Sequence, residues 1–310
     1  MIGVVTTFSG MLECREFIVL RVVETPANGL PAFADRLRMS ELAISDYYAS
    51  HSAMTDPGAR ATLIRDLPLD IPALCRILHG LLIHEAWIER QGFDPAAFAG
   101  QSRATLPVSK RLDQLLAIDP RPLTVARPGQ SRALATCRDF ALMLCAVLRQ
   151  HGVPARVRCG FGRYFTGHPY HDHWVCEHWA KAEQRWVLVD AELDEPHRNL
   201  LKFDFEPTDV PRTAFITGIE AWQRCRTGAI DPEQLGHGTS TGLFFARVNL
   251  GRDLLALAKT ETSSWDTWRA ARQPHLELDE AALLLCDDLA QRGEEGAVDI
   301  APSLSAPPWL

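Results

Sequence analysis

Cys137, His173 and Asp190 follow one another in that order within one short stretch of the chain. A free thiol has a pKa of about 8.5, so only a few per cent is thiolate at pH 7, and the thiolate is the nucleophile. A helix N-terminus offers unpaired N–H groups and a positive dipole end, worth roughly 0.3–1 kcal/mol to an adjacent anion. An imidazole touching the sulfur favours the anion further and can later protonate a leaving amine. A carboxylate on the ring's other nitrogen fixes the tautomer. These roles fall to Cys137, His173 and Asp190. The chemistry is attack on an amide or ester carbonyl, a thioester on Cys137, and acyl transfer to water or an amine. An oxyanion donor is also needed, from the Cys137 backbone N–H or from the side-chain amide of Gln130 in the preceding loop. Trp174 and Trp179 are the candidates for lining an acyl groove.

Each of these residues also has a plainer reading. Free cysteines are among the most buried residues, and Cys75, Cys145, Cys159 and Cys286 are read as packing. His168, His171 and His178 compete with His173 as the base, but His178 has the opposite strand parity and His171 falls at the strand's edge. A zinc reading would use His168, His171, His173, Cys176 and His178, whose spacing on one strand points them to both faces; no metal site is expected. No Gly-rich phosphate loop is present, and the thiol supplies the covalent chemistry, so no cofactor is expected.

Helix and strand signals place these residues. Thr136 with Asp139 three positions on opens a helix whose apolar residues Phe140, Ala141, Leu144, Val147 and Leu148 recur at helical spacing, and Gly152 stops it. Cys137 thus sits in the first turn. Ala155–Cys159 reads as a strand, with Arg156 and Arg158 on one face, before Gly160 and Gly162 loosen the chain. Trp174–Trp179 and Trp186–Val189 read as a hairpin that starts near His173 and ends at Asp190. Upstream, Asp70–Gly92 reads as one amphipathic helix, and a shorter helix covers Leu112–Ile118. Downstream helices are expected around Thr217–Cys225, Leu250–Lys259 and Asp279–Arg292.

The Cys-led helix, the run Gly152-Val153-Pro154-Ala155-Arg156, the strand His173-x-x-x-Glu177 and Trp186-x-x-x-Asp190 together resemble the core of the transglutaminase-like superfamily, within the papain-like fold. The resemblance covers Gln130–Asp194. It implies an α+β fold with the cysteine-bearing helix packed on an antiparallel sheet and further helices from the flanks. It also implies Cys137 as nucleophile, His173 as general base and acid, and Asp190 as orienter. Val175 stands where the family often has an aromatic residue, and Ala191 follows the aspartate where a proline is common. The run Gly251-Arg252-Asp253-Leu254 is similar to bacterial stand-alone members. Four regions are expected, packed as one compact domain: 1–128 mainly helical, 129–215 the catalytic core, 216–300 helical, and 301–310 a Pro-rich tail.

Composition sets the outer limits. The chain of 310 residues is 46% hydrophobic and 23% charged, ordinary globular values that argue against disorder. With 32 Lys plus Arg against 39 Asp plus Glu, the formal charge of −7 gives no electrostatic reason to expect nucleic acid or an anionic membrane. Eight scattered cysteines without a Cys-x-x-Cys pair do not form a disulfide framework. Phe17–Val23 is interrupted by Arg21 and reads as a strand, not a secretory segment, so a cytoplasmic protein is expected. The expected partner is a peptide or small amide or ester substrate, with an amine as the alternative acceptor. A noncatalytic peptide- or protein-binding module on the same fold is the competing reading.

Overall fold

The computed structural model describes residues 41–101, 106–261 and 278–294; Cys14, the expected strand over Phe17–Val23 and the tail from Ala301 lie outside them. Helices α1 (Glu41–Ala49) and α2 (Ala61–Arg65) lead to α3 (Ile71–Leu81). Asp70 caps α3 by accepting the Ala73 N–H at 2.8 Å, with Pro72 in the first turn. The sequence reading carried this helix to Gly92, yet it ends at Leu81. Leu82–His84 instead forms strand β1, followed by 3-10 turns at Glu85–Trp87 and Glu89–Gln91. Pairing overrides the helical apolar spacing: β1 runs parallel to β2 (Ala133–Ala135), in register Leu82↔Ala133, Ile83↔Leu134 and His84↔Ala135. That register sets His84 beside the approach to Cys137.

Helix α4 (Val108–Ile118) precedes β2, and α5 (Cys137–Gln150) follows it. The Asp139 carboxylate accepts the Thr136 backbone N–H at 2.9 Å and its hydroxyl at 3.2 Å, closing the first turn of α5. Arg111 of α4 reaches the same carboxylate at 3.1 Å. Every residue of α5 from Arg138 to Arg149 is buried. Each buried leucine of such a helix contributes roughly 1.5–3 kcal/mol relative to an exposed one.

Six strands make the main sheet: β3 (Ala155–Gly162), β4 (Tyr170–Ala180), β5 (Arg185–Val189), β6 (Phe215–Thr217), β7 (Leu235–His237) and β8 (Ser240–Thr241). β3 and β4 pair antiparallel from Ala155↔His178 to Gly162↔His171. The strand therefore continues past Cys159 through both glycines. A Cβ on Gly160 would lie 2.1 Å from the Ile216 carbonyl oxygen of β6, so glycine is what permits the close approach.

The far edge of β4 is divided. β7 pairs with Tyr170 and His171 in parallel, and β5 pairs with Cys176–Ala180 antiparallel, so the sheet is mixed rather than purely antiparallel. Among the described residues no strand lies against 172–175 on that edge, and His173 stands in the gap. The α5 residues Phe140, Leu144 and Leu148 share a core with Val157, Cys159, Trp174 and Val189 of the sheet. The remaining helices are α6 (Glu195–Leu201), α7 (Gly218–Arg226), α8 (Leu243–Leu257) and α9 (Glu280–Glu294). Trp222 of α7 and Phe245, Leu250 and Leu254 of α8 form a second core with Phe161 and Ile216. No helix among the described residues is long and apolar enough to cross a membrane.

Candidate active site

Cys137 is the first residue of α5 and is half-buried, whereas the other described cysteines are buried. Burial pushes the Cys75 thiol up to about 12 and those of Cys225 and Cys286 to about 11, and raises Cys159 and Cys176 as well. A neutral thiol is a poor nucleophile, which counts against those five cysteines as nucleophiles.

His173 bonds with Asp190, its Nε2 lying 2.7 Å from Asp190 Oδ2, and shares the wall of one cavity with Cys137. Nε2 therefore carries a proton towards the carboxylate, which leaves Nδ1 as the ring's acceptor. Asp190 meets His173 because β5 pairs Val189 with Cys176 and delivers Asp190 just past its end, alongside the stretch of β4 that no strand among the described residues covers on that edge. Asp190 is buried and also accepts the Tyr164 hydroxyl at 2.7 Å and the Glu192 N–H at 3.1 Å. Burial opposes the charged form of His173, but Asp190 and Cys137 outweigh it and hold the imidazole well above its usual value. Burial together with the Asp190 charge raises the Tyr164 phenol, so it stays a donor.

A second imidazole flanks the sulfur. A ring nitrogen of His84, the Cys137 thiol and a carboxylate oxygen of Glu192 all lie within 4.8 Å of one another. Glu192 is buried; burial disfavours its charge, but His84, His197 and His173 hold its carboxyl down at about 2. One oxygen stands 3.6 Å from His197 Nε2, while Oε2 has no hydrogen-bond partner. His197, in turn, sits against Asp194 at the start of α6 and is raised to about 9 despite burial. Cys137, His84, His173 and Glu192 all open on one cavity of about 270 Å³, whose wall includes Trp87, Thr136, Phe165, Asp172 and His237.

Other expected site residues lie elsewhere. Gln130 is exposed on the turn Gly129–Ser131 and does not reach the cavity, because that turn directs it to solvent before β2 begins. Trp174 is 1% exposed, packed in the core with α5. Trp179 stacks edge-on against Trp186, 5.7 Å between centroids, away from the cavity. Both tryptophans pack the sheet; neither lines a groove at Cys137. Of the histidines weighed for zinc, only His171 and His173 border the cavity, while His168 meets the Gly238 carbonyl at 2.9 Å. Burial lowers His171 to about 4, which makes it a weak base.

Sequence reasoning missed His84, Glu192 and Tyr164. The usable signal for Glu192 was its position two residues beyond Asp190. His84 left no comparable signal, because it looked like part of a continuous helix.

Residues 119–191 match the model of the transglutaminase-like superfamily core. A solved structure of a candidate cysteine protease from Cytophaga hutchinsonii is 15% identical, with a TM-score of 0.32; the alignment covers 55% of this chain and 44% of that one. A search of curated proteins finds no match.

Proposed function

From the premise that residues 119–191 form a transglutaminase-like core, we propose that the protein is a cysteine-dependent acyl-transfer enzyme. Cys137 passes its proton to His173 Nδ1 and attacks an amide or ester carbonyl. Asp190 holds the ring and balances the imidazolium, and the leaving group takes the proton from His173. Water or an amine then attacks the thioester, with His173 accepting its proton, and Cys137 is released. Hydrolysis is the reading we favour. The observation that carries this is His173 bonded to Asp190 and opening on the same cavity as Cys137 at the head of a buried helix. A cavity of about 270 Å³ suits a short acyl chain or a single side chain, not a large ligand.

Limited alkylation of the native protein with iodoacetamide at pH 6, followed by peptide mapping, tests the reading. Selective labelling of Cys137 supports it, as does an acyl-enzyme trapped from a peptide and small-amide library. Labelling spread over all the cysteines, with no adduct from any donor, would favour the binding-module reading. Cys137→Ala is expected to abolish turnover.

A further inference from the structure

A hydrogen bond to one ring nitrogen fixes the tautomer of His84. His84 ends β1, and its Nδ1 accepts the backbone N–H of Ala86 at 3.0 Å, capping the 3-10 turn Glu85–Trp87. An Nδ1 that accepts carries no proton. The ring's proton is therefore on Nε2, and a ring nitrogen of His84 lies within 4.8 Å of the Cys137 sulfur and a Glu192 oxygen on the wall of the cavity. Thiol, imidazole and carboxylate are the donor types of a zinc site, but a metal on Nε2 would force the proton onto Nδ1 against the Ala86 N–H. The tautomer suits a hydrogen-bond donor instead.

A donor is what the chemistry lacks, since Gln130 points to solvent and the Cys137 backbone N–H supplies only one. We propose that His84 is a catalytic residue whose Nε2–H donates to the carbonyl oxygen of the bound acyl donor, and holds the oxyanion formed as Cys137 attacks. His84 gives up no proton in this step; the negative charge arrives on oxygen as the C=O π bond opens, and returns when the leaving group departs. This inference rests on the acyl-transfer reading and assigns a residue outside the matched segment 119–191.

The test compares wild type, His84→Ala and His84→Gln in single-turnover acylation by a p-nitrophenyl ester and by its thiono analogue, in which sulfur replaces the carbonyl oxygen. Thermal melting confirms that each variant folds. Wild type should acylate at Cys137 and prefer the oxygen ester strongly. His84→Ala should slow acylation by about 10²–10³-fold and lose most of that preference, while iodoacetamide still labels Cys137 at pH 6 through His173. His84→Gln, whose amide N–H can donate, should recover at least about tenfold over His84→Ala. Unchanged acylation and unchanged oxygen preference in folded His84→Ala would overturn the assignment and leave the acyl-transfer reading standing. No acylation of Cys137 in wild type would overturn both. Stoichiometric Zn²⁺ binding by wild type in equilibrium dialysis, lost in His84→Ala, would also overturn it, because that metal would occupy the donor position.

Discussion

At the residue scale, Asp190 is the best-defined part of the site, with His173, Tyr164 and the Glu192 N–H all bonded to its carboxylate. Asp190→Asn keeps the shape but lets the amide donate to Nε2, which pushes the proton to Nδ1 and removes the base facing the sulfur. The expected loss is about 10²–10⁴-fold in kcat with melting changed little, read by steady-state kinetics on the donor that acylates Cys137. Tyr164→Phe deletes one hydrogen bond to a buried carboxylate and should lower stability by about 1–3 kcal/mol in urea unfolding. Cys137, His173 and Asp190 could be singled out in the sequence because their proposed roles follow from side-chain chemistry and from strand and helix signals close in sequence. Tyr164 and Glu192 were not, because their value comes from lone pairs that only the folded arrangement assigns. Gln130 was misplaced for the converse reason: an amide near the cysteine in sequence can still turn outward.

At the element scale, the sheet depends on a buried carboxylate. Glu177 of β4 pairs with Arg156 at 2.6 Å and Arg158 at 3.0 Å, and Arg212 also contacts it. Burial disfavours its charge, but Arg156, Arg158 and Arg212 hold it well below the usual carboxylate range. A depressed folded value contributes stability above the unfolded value of about 4.3 and loses it as pH falls below that. Unfolding free energy should therefore decline below about pH 4.5, and Glu177→Gln should flatten that limb while costing about 3–5 kcal/mol at neutral pH. His197 works in the other direction. Its folded value of about 9 gives stability that is complete below about 6.5 and lost as pH rises through 9, a slope that His197→Gln should remove. Gly160→Ala should cost about 1–3 kcal/mol by driving β6 from β3. Sequence periodicity located α5, β3, β4 and β5, and placed Arg156 and Arg158 on the face that meets Glu177. It did not end α3 at Leu81 or carry β3 through its glycines, because both outcomes depend on partner strands remote in the chain.

At the scale of the whole molecule, segments beyond the matched core complete it. Asp253 of α8, 0% exposed, accepts from Arg158 Nε and Nη2 at 2.8 Å each. Asp253→Asn should cost about 3–5 kcal/mol in equilibrium unfolding, since it leaves a buried guanidinium short of a counter-charge. The run Gly251-Arg252-Asp253-Leu254, which carried no chemistry in the sequence, thus has a structural role. Glu261 goes further: its backbone oxygen accepts from Arg138 Nη2 at 2.7 Å, and its carboxylate lies 3.1 Å from Arg149 Nη1. A single residue beyond α8, Glu261, therefore grips the first and last turns of the helix that carries Cys137. For recombination between homologous genes, this puts the safe crossover point after position 261 rather than at 191. A hybrid joined at 191 would inherit two buried arginines with a foreign residue in the place of their shared anchor.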